Sequence, residues 1–219
     1  IDRMVISHSD SDHICGAGSL LKHIQFDLMM GSLPSSNELI QNLHTRKIPA
    51  MPCRFRQNWI WDGVEFFIWH PHEEALFEYE YSVRPNEMSC VLEIRNAQAS
   101  FWLTGDVERQ GEAEITERLD AEMLRTIGDR ELIFMAPHHG SKTSSSIELL
   151  KKLEPDQAFA QNGYRNRYGH PHPTVSARYE DLEIPFYQTP KTGAQIWLFK
   201  NNKNSSTQFW RHDIKRLWH

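Results

Sequence analysis

The stretch SHSDSDH at residues 7–13 follows directly after the apolar residues MVI at positions 4–6. Apolar residues at positions 14, 20, 21 and 24 then favour a helix, so the polar stretch lies between a strand and a helix. Side chains at positions 8, 10 and 12 of an extended chain point to one side, and the turn into the helix can bring His13 round. These His and Asp side chains predict a metal site. The alternative is a solvated turn that caps the following helix.

Two later strand ends carry side chains of the same kind. The predicted strand 99–103 is followed by Asp106 behind a glycine, and the predicted strand 132–135 is followed by His138 and His139. The Asp alone is a weak motif, because a strand followed by Gly-Asp is a common loop. Adjacent histidines at a strand end are more often ligands or acid-base groups than core residues. Three strand ends carrying His and Asp therefore indicate one shared site.

Composition narrows the function classes. The chain has 219 residues, 12 of them His, and a formal net charge of −5, which excludes a generally basic nucleic-acid coat but leaves room for a local basic site. No apolar run approaches the roughly 18 residues that a membrane helix needs. The three cysteines are odd in number and lack CxxC spacing, so they predict neither a disulfide framework nor a Cys-rich zinc site.

The order of predicted elements indicates a mixed α/β fold. We expect a helix at 36–45, hairpins at 59–69 and 90–103, and the longest helix at 109–126, followed by alternating strands and helices to 188 and late strands at 194–199 and 207–211. One domain over residues 1–219 is the economical interpretation. The chain opens at Ile1 inside an apparent strand and without a signal-peptide pattern, so we interpret it as a piece of something longer.

Five motifs together make the sequence recognisable: SHSDSDH (7–13), NEMSCVL (86–92), WLTGD (102–106), APHHGSKTSS (136–145) and GYRNRYGHPHP (163–173). They resemble the metallo-β-lactamase superfamily, and within it most closely the hydrolase domain of the ComEC/Rec2 competence proteins. The resemblance covers residues 4 to about 199. It implies an αββα sandwich, and because superfamily members place several strands ahead of the first motif, we expect the N-terminal strands of the domain to be missing.

The resemblance also implies a ligand set for two divalent ions. It places His8 and Asp10 on the first ion, Asp12 and His13 on the second, Asp106 between both, and one of His138 and His139, preferably His138, on the second. Asp10 stands where a second His is usual, and the region around Asn86 holds no His where a third ligand of the first ion usually lies. The site is therefore oxygen-rich, which favours Mn²⁺ or Mg²⁺ and remains compatible with Zn²⁺.

The chemistry that these residues predict is hydrolysis of a phosphodiester. Two divalent ions about 4 Å apart lower the pKa of a water and stabilise an in-line displacement. Asp12 and Asp106 would orient the attacking water, and His170 would protonate the leaving oxygen. The predicted phosphate-binding residues are Ser141, Lys142, Ser144, Arg165, Arg167 and His172. Residues 164–172 could instead form a surface loop with incidental charge.

The resemblance implies a DNase of natural transformation, which degrades one strand of incoming DNA while the other enters the cell. Its implied partners are single-stranded DNA and the membrane channel segment of a parent protein, with no soluble protein partner. Its implied place is the extracytoplasmic, periplasmic face of the bacterial inner membrane. Two alternatives remain open, a small-substrate phosphoesterase of the phosphorylcholine-esterase type on the same fold, and a non-catalytic, truncated DNA-binding or docking domain.

Overall fold

The computed structural model describes residues 1–73, 84–120, 123–124, 127–128, 130–199 and 206–214. The first part of the chain contains β1 (Arg3–Ile6), α1 (Ser11–His23), β2 (Leu28–Gly31), α2 (Glu38–Thr45), β3 (Ala50–Met51), β4 (Asn58–Trp61) and β5 (Val64–His70). The middle part contains β6 (Val91–Arg95), β7 (Ala99–Leu103), α3 (Arg109–Arg118), β8 (Glu131–Met135), α4 (Ile147–Leu153) and β9 (Gln157–Ala160). The last part contains α5 (Pro173–Asp181), β10 (Phe186–Gln188), α6 (Thr189–Thr192), β11 (Gln195–Leu198), β12 (Ser206–Phe209) and α7 (Trp210–Asp213).

The strands form two main sheets and a small ribbon. The first sheet is parallel and has the order β1-β2-β3, whereas the second has the order β10-β9-β8-β7-β6-β5-β4. In the second sheet β4 to β7 are antiparallel, and β7 to β10 are parallel to one another. The antiparallel half consists of hairpins, and the parallel half has helical crossovers between its strands. The ribbon pairs β11 with β12.

Apolar side chains build three layers of core. One cluster, which includes Leu21, Met29 and Leu43, packs α1 and α2 on the outer face of the first sheet. A second cluster, which includes Met30 and Ile68, lies between the two sheets. The largest cluster packs α3, α4 and α5 on the outer face of the second sheet. The layers are therefore helix, sheet, sheet, helix, and the predicted α/β class with an αββα sandwich is confirmed.

A buried carboxylate lies in the middle of the second sheet. Glu93 on β6 is fully buried and accepts hydrogen bonds from Trp69 Nε1 at 2.9 Å and Ser100 Oγ at 2.7 Å. Arg95 Nη1 donates to it at 3.1 Å, and the same guanidinium makes a two-pronged ion pair with Glu65. The charge is thus fully paired, as a buried charge must be.

The structure differs from the sequence prediction in several places. The helix predicted at 109–126 ends at Arg118, because Leu119 leaves the helical conformation and Asp120 Oδ1 accepts from the Met123 amide to begin a new turn. Residues 121, 122, 125 and 126 lie outside the described part. The short strand β3 was not predicted. The cysteines were predicted not to form a disulfide framework, yet Cys53 and Cys90 are joined in a disulfide between neighbouring loops.

No helix in the described ranges is both long enough and apolar enough to cross a bilayer. The interpretation of residues 1–219 as one domain stays a prediction.

Candidate metal centre

Four acidic and imidazole side chains converge where strands of both sheets end. Asp12 and His13 lie in the first turn of α1, Asp106 follows β7, and His139 follows β8. One ligand atom from each of the four lies within 4.8 Å of the others. His13 Nε2 is 3.1 Å from Asp106 Oδ1, and His139 Nε2 is 3.2 Å from Asp12 Oδ2 and 3.5 Å from Asp106 Oδ2. Two imidazoles and two carboxylates at these separations can share one divalent cation.

The local backbone explains how the chain brings these groups together. β7 and β8 are parallel neighbours, so their carboxyl ends meet at one edge of the sheet. Gly105 has a φ of +54°, and a Cβ added there would lie 2.7 Å from Ser7 Cβ, so only glycine allows this close approach to the first motif. His138 and His139 also have positive φ values of 49° and 55°. Two consecutive left-handed non-glycine residues carry backbone strain, which is typical of functional sites.

His8 lies beside the cluster and is completely buried. Its Nε2 atom makes no hydrogen bond to any described residue, and Asp10 Oδ2 lies 3.8 Å away. Burial lowers the pKa of His8 to about 4, so its imidazole is neutral at neutral pH. A neutral, buried ring nitrogen without a hydrogen bond is the state in which histidine binds a metal.

The charges in the centre depend on one another. Burial alone would raise the pKa of Asp106, but His13 and His139 hold it below the ordinary value. Burial lowers the pKa of His13, and the adjacent Asp106 carboxylate outweighs this effect and raises it above the ordinary value. Asp106 is therefore an anion at neutral pH and is almost fully buried, and a buried anion favours a cation beside it.

Two serines orient the rings. Ser7 Oγ lies 3.1 Å from His8 Nδ1 and 3.2 Å from His13 Nδ1. Ser89 Oγ lies 3.3 Å from His8 Nδ1 and accepts a hydrogen bond from the Asp106 amide at 3.0 Å. His139 Nδ1 donates to the Gln161 carbonyl at 2.7 Å, which directs its Nε2 into the cluster. The three histidines thus turn their Nε2 atoms inward.

His138 has different surroundings from those of His139. Its Nδ1 lies 3.0 Å from Glu108 Oε1, which also accepts a hydrogen bond from Asn86 Nδ2, and its Nε2 lies 3.8 Å from Asp106 Oδ2. It is not a member of the four-residue cluster. The geometry therefore favours His139 over His138 as the histidine that completes the ligand set, although the sequence preference was the reverse.

A buried glutamate holds the loop that follows the two histidines. Glu112 on α3 is fully buried and accepts hydrogen bonds from the amides of Ser145 and Ser146 at 2.6 and 2.7 Å. Burial raises its pKa above the ordinary value. Arg178 on α5 donates to the carbonyls of Ser144 and Ser145, so the loop after the histidines is tied to two helices.

The remaining predicted residues lie on two loops around the centre. The His170 ring lies 5.9 Å from the His138 ring, and burial together with the neighbouring histidines lowers its pKa. Exposed cationic side chains are Lys142, Arg165 and Arg167. Ser141 and Ser144 are buried, and Ser144 Oγ donates to the Ser141 carbonyl. His172 accepts from the Thr174 amide and caps α5. The phosphate-binding roles of these residues stay predictions.

The sequence of the chain was compared with those of known proteins. No protein-family model matches the chain. Competence protein ComA of Neisseria gonorrhoeae is 30% identical over 194 residues, which are 89% of this chain and 25% of that protein. Recombination protein 2 of Haemophilus influenzae is 31% identical over 194 residues, which are 88% of this chain and 22% of that protein. The chain is homologous to one region of the ComEC/Rec2 competence proteins.

The chain thus spans about a quarter of the length of these curated relatives. ComE operon protein 3 of Bacillus subtilis is also similar, with 26% identity over 225 residues that cover 99% of this chain and 27% of that protein. Among solved structures, the diiron β-hydroxylase CmlA of Streptomyces venezuelae has a TM-score of 0.50 and 12% identity, over 86% of this chain and 43% of that one. This likeness concerns the fold alone. YhfI of Bacillus subtilis, a metallo-β-lactamase fold protein, has a TM-score of 0.43 and 12% identity, over 86% of this chain and 74% of that one.

The donor set of this protein fits a divalent cation. The fit depends on the four converging side chains and on the buried, unpaired Nε2 of His8. Sequence reasoning named the converging His and Asp residues but missed the residues that position them, which are Ser7, Ser89, Glu108, Glu112 and Gln161. Ser7, Ser89 and Glu108 stand inside or beside the quoted motifs, and that position was the only sequence signal for them. Gln161 stands just before the motif at 163–173, whereas nothing near Glu112 in the sequence pointed to the site.

Proposed function

We propose that this protein is a metal-dependent phosphodiesterase that cleaves single-stranded DNA during uptake in natural transformation. The observation that carries the proposal is the convergence of Asp12, His13, Asp106 and His139, with His8 and Asp10 beside them, in a homologue of competence proteins. A site of carboxylates and imidazoles at a sheet edge suits metal-assisted hydrolysis. The cationic loops around it suit a substrate that carries phosphates.

Each ligand has a role in this proposal. Asp12, His13, Asp106 and His139 would hold one divalent ion, and His8 and Asp10, with Asp106 beside them, would hold a second. Bound ions of this kind lower the pKa of water and neutralise the charge that develops on the phosphate. Asp12, whose side chain is 62% exposed, is open to solvent and orients the attacking water together with Asp106.

The chain's own acids and cations complete the reaction. The His170 ring, next to His138, protonates the leaving oxygen of the cleaved diester. Lys142, Arg165 and Arg167 are exposed and hold the phosphates on either side of the scissile bond. Ser141, Ser144 and His172 belong to the same two loops and complete the phosphate site that the sequence predicts.

We place the protein on the extracytoplasmic face of the inner membrane as part of a longer membrane protein. Two observations support this placement. The competence relatives are about four times longer than this chain, which leaves room for the channel segment that the family resemblance implies. The Cys53–Cys90 disulfide is typical of proteins that face an oxidising compartment.

The test is cleavage of end-labelled single-stranded DNA in Mn²⁺ and in EDTA. We expect cleavage by the wild-type protein in Mn²⁺, loss of cleavage in EDTA, and loss of cleavage in Asp12→Ala and Asp106→Asn. Asp27→Ala removes an exposed carboxylate before β2 and should cleave like the wild type. A folded wild-type protein that hydrolyses only a small chromogenic phosphodiester would favour the small-substrate phosphoesterase. A folded protein that cleaves neither substrate would favour the non-catalytic alternative.

A further inference from the structure

Two tyrosine rings project from residues 163–172, the loop that carries His170. Tyr164 is 73% exposed and Tyr168 is 65% exposed, the two most exposed aromatic side chains of the described residues. Aromatic rings contribute most when their faces are covered. Two rings that are mostly exposed in one short loop therefore point to a ligand that covers them.

The loop is held in a fixed shape. The Asn166 side chain accepts from the His170 amide at 2.9 Å and donates to the His170 carbonyl, to which Asn162 Nδ2 also donates at 2.9 Å. Pro171 packs against Gly140 so closely that a Cβ at Gly140 would lie 2.6 Å from it, and the His172 amide donates to the Gly140 carbonyl at 2.8 Å. The rings are thus fixed relative to the turn that carries His138 and His139, and ordering them costs a ligand little.

A chain of ring contacts links the exposed tyrosines to the metal centre. The Tyr168 ring is stacked on the His170 ring with centroids 5.7 Å apart, and the His170 ring lies 5.9 Å from that of His138. A guanidinium also lies over each tyrosine ring. The Arg165 group lies 5.3 Å from the Tyr164 centroid, and the Arg167 group lies 4.8 Å from the Tyr168 centroid.

We propose that Tyr164 and Tyr168 stack on unpaired bases next to the scissile phosphate, and that this loop selects single-stranded over duplex nucleic acid. A ring offers its face to any base, and the neighbouring guanidinium offers charge to the adjoining phosphate, so the pair recognises a strand without reading its sequence. Bases inside a duplex are stacked on each other and cannot cover a protein ring. The proposal that these bases lie next to the scissile phosphate rests on the proposed function, because the cleavage site fixes where the strand lies.

The test measures binding without cleavage. Fluorescence anisotropy in EDTA gives the Kd of a labelled oligothymidine, of its duplex, and of an abasic strand of equal length for the wild type, Tyr164→Ala, Tyr168→Ala and both Tyr→Phe variants. We expect each Ala variant to bind the oligothymidine about tenfold more weakly, and each Phe variant to bind like the wild type. Binding to the duplex and the abasic strand should not change. Trp61→Ala removes an exposed ring on the edge strand β4 and should bind like the wild type.

Three results would overturn the assignment: Ala variants that bind all three strands with unchanged affinity, Ala variants that lose abasic and single-strand binding equally, or Phe variants as weak as the Ala variants. A wild-type protein that binds anionic lipid vesicles but no oligonucleotide would overturn it in favour of a membrane surface. Ring-dependent binding without any cleavage in Mn²⁺ would refute the proposed nuclease activity but not the role of the two tyrosines in binding. Cleavage in Mn²⁺ together with binding that does not depend on the rings would refute only the role of the two tyrosines.

Discussion

Replacing His8 by Asn should make the metal-free protein lose less stability in acid than the wild type loses. The His8 side chain is completely buried, and burial lowers its pKa from 6.5 to about 4. Between these two pKa values the unfolded chain binds a proton at His8 that the folded state does not. The contribution of His8 to the free energy of unfolding is therefore present above pH 6.5 and is lost as the pH falls towards 4. For these two pKa values the loss between pH 7.5 and pH 5 is about 2 kcal/mol. Asn suits the site because it keeps a polar group near Ser7 and Ser89 but does not titrate.

The assay is urea unfolding in EDTA at pH 7.5 and pH 5 for the wild type, His8→Asn and His44→Asn. His44 lies exposed near the end of α2, so its variant should lose as much stability in acid as the wild type. The three proteins share all their other ionisable groups, so the informative quantity is the difference between the pH effects. We expect the loss in His8→Asn to be smaller by about 2 kcal/mol. Equal losses in His8→Asn and the wild type would refute the assignment of His8 as a buried neutral imidazole.

Three further predictions follow from the close packing around the centre. Gly105→Ala should lower the free energy of unfolding by about 2 kcal/mol more than Gly63→Ala, because both have positive φ but only the Gly105 position meets neighbours, and differential scanning calorimetry of the two variants checks this. Glu93→Gln should destabilise by about 3 kcal/mol in urea unfolding, since it breaks a buried ion pair, and a cost below that of the exposed Glu148→Gln would contradict the network. Ser89→Ala should weaken Mn²⁺ binding about tenfold in calorimetric titration, because its hydroxyl bonds the Asp106 amide, and unchanged binding would exclude a positioning role.

The sequence indicated which His and Asp side chains would come together, because these residues stand next to recognisable strands. The motif at 7–13 and the ends of β7 and β8 carry their His and Asp within a few residues of a recognisable strand, and parallel strands bring such ends to one edge. The sequence also predicted the hairpin of β4 and β5, since Asp62-Gly63 is a strong turn signal. The helix, sheet, sheet, helix layering came from the family resemblance rather than from periodicity.

Most of what the sequence could not predict depends on long-range contact. The choice between His138 and His139 follows from Gln161 and Glu108, which approach the pair from different strands and loops. The Cys53–Cys90 pairing requires two loops to meet across 37 residues of sequence. The end of α3 at Arg118 is decided by the turn that Asp120 begins, a local signal that the Glu-rich pattern concealed.

The most direct test of the central claim, a metal centre completed by His139, is Mn²⁺ binding measured by isothermal titration calorimetry. Wild-type protein, His139→Ala, His138→Ala and the exposed control His44→Ala are titrated after removal of metal by EDTA and dialysis. The account predicts tight binding by the wild type and by His44→Ala, loss of binding at the cluster in His139→Ala, and a smaller effect of His138→Ala. A folded wild-type protein that binds no Mn²⁺, or a His139→Ala variant that binds it as tightly as the wild type, would contradict the account.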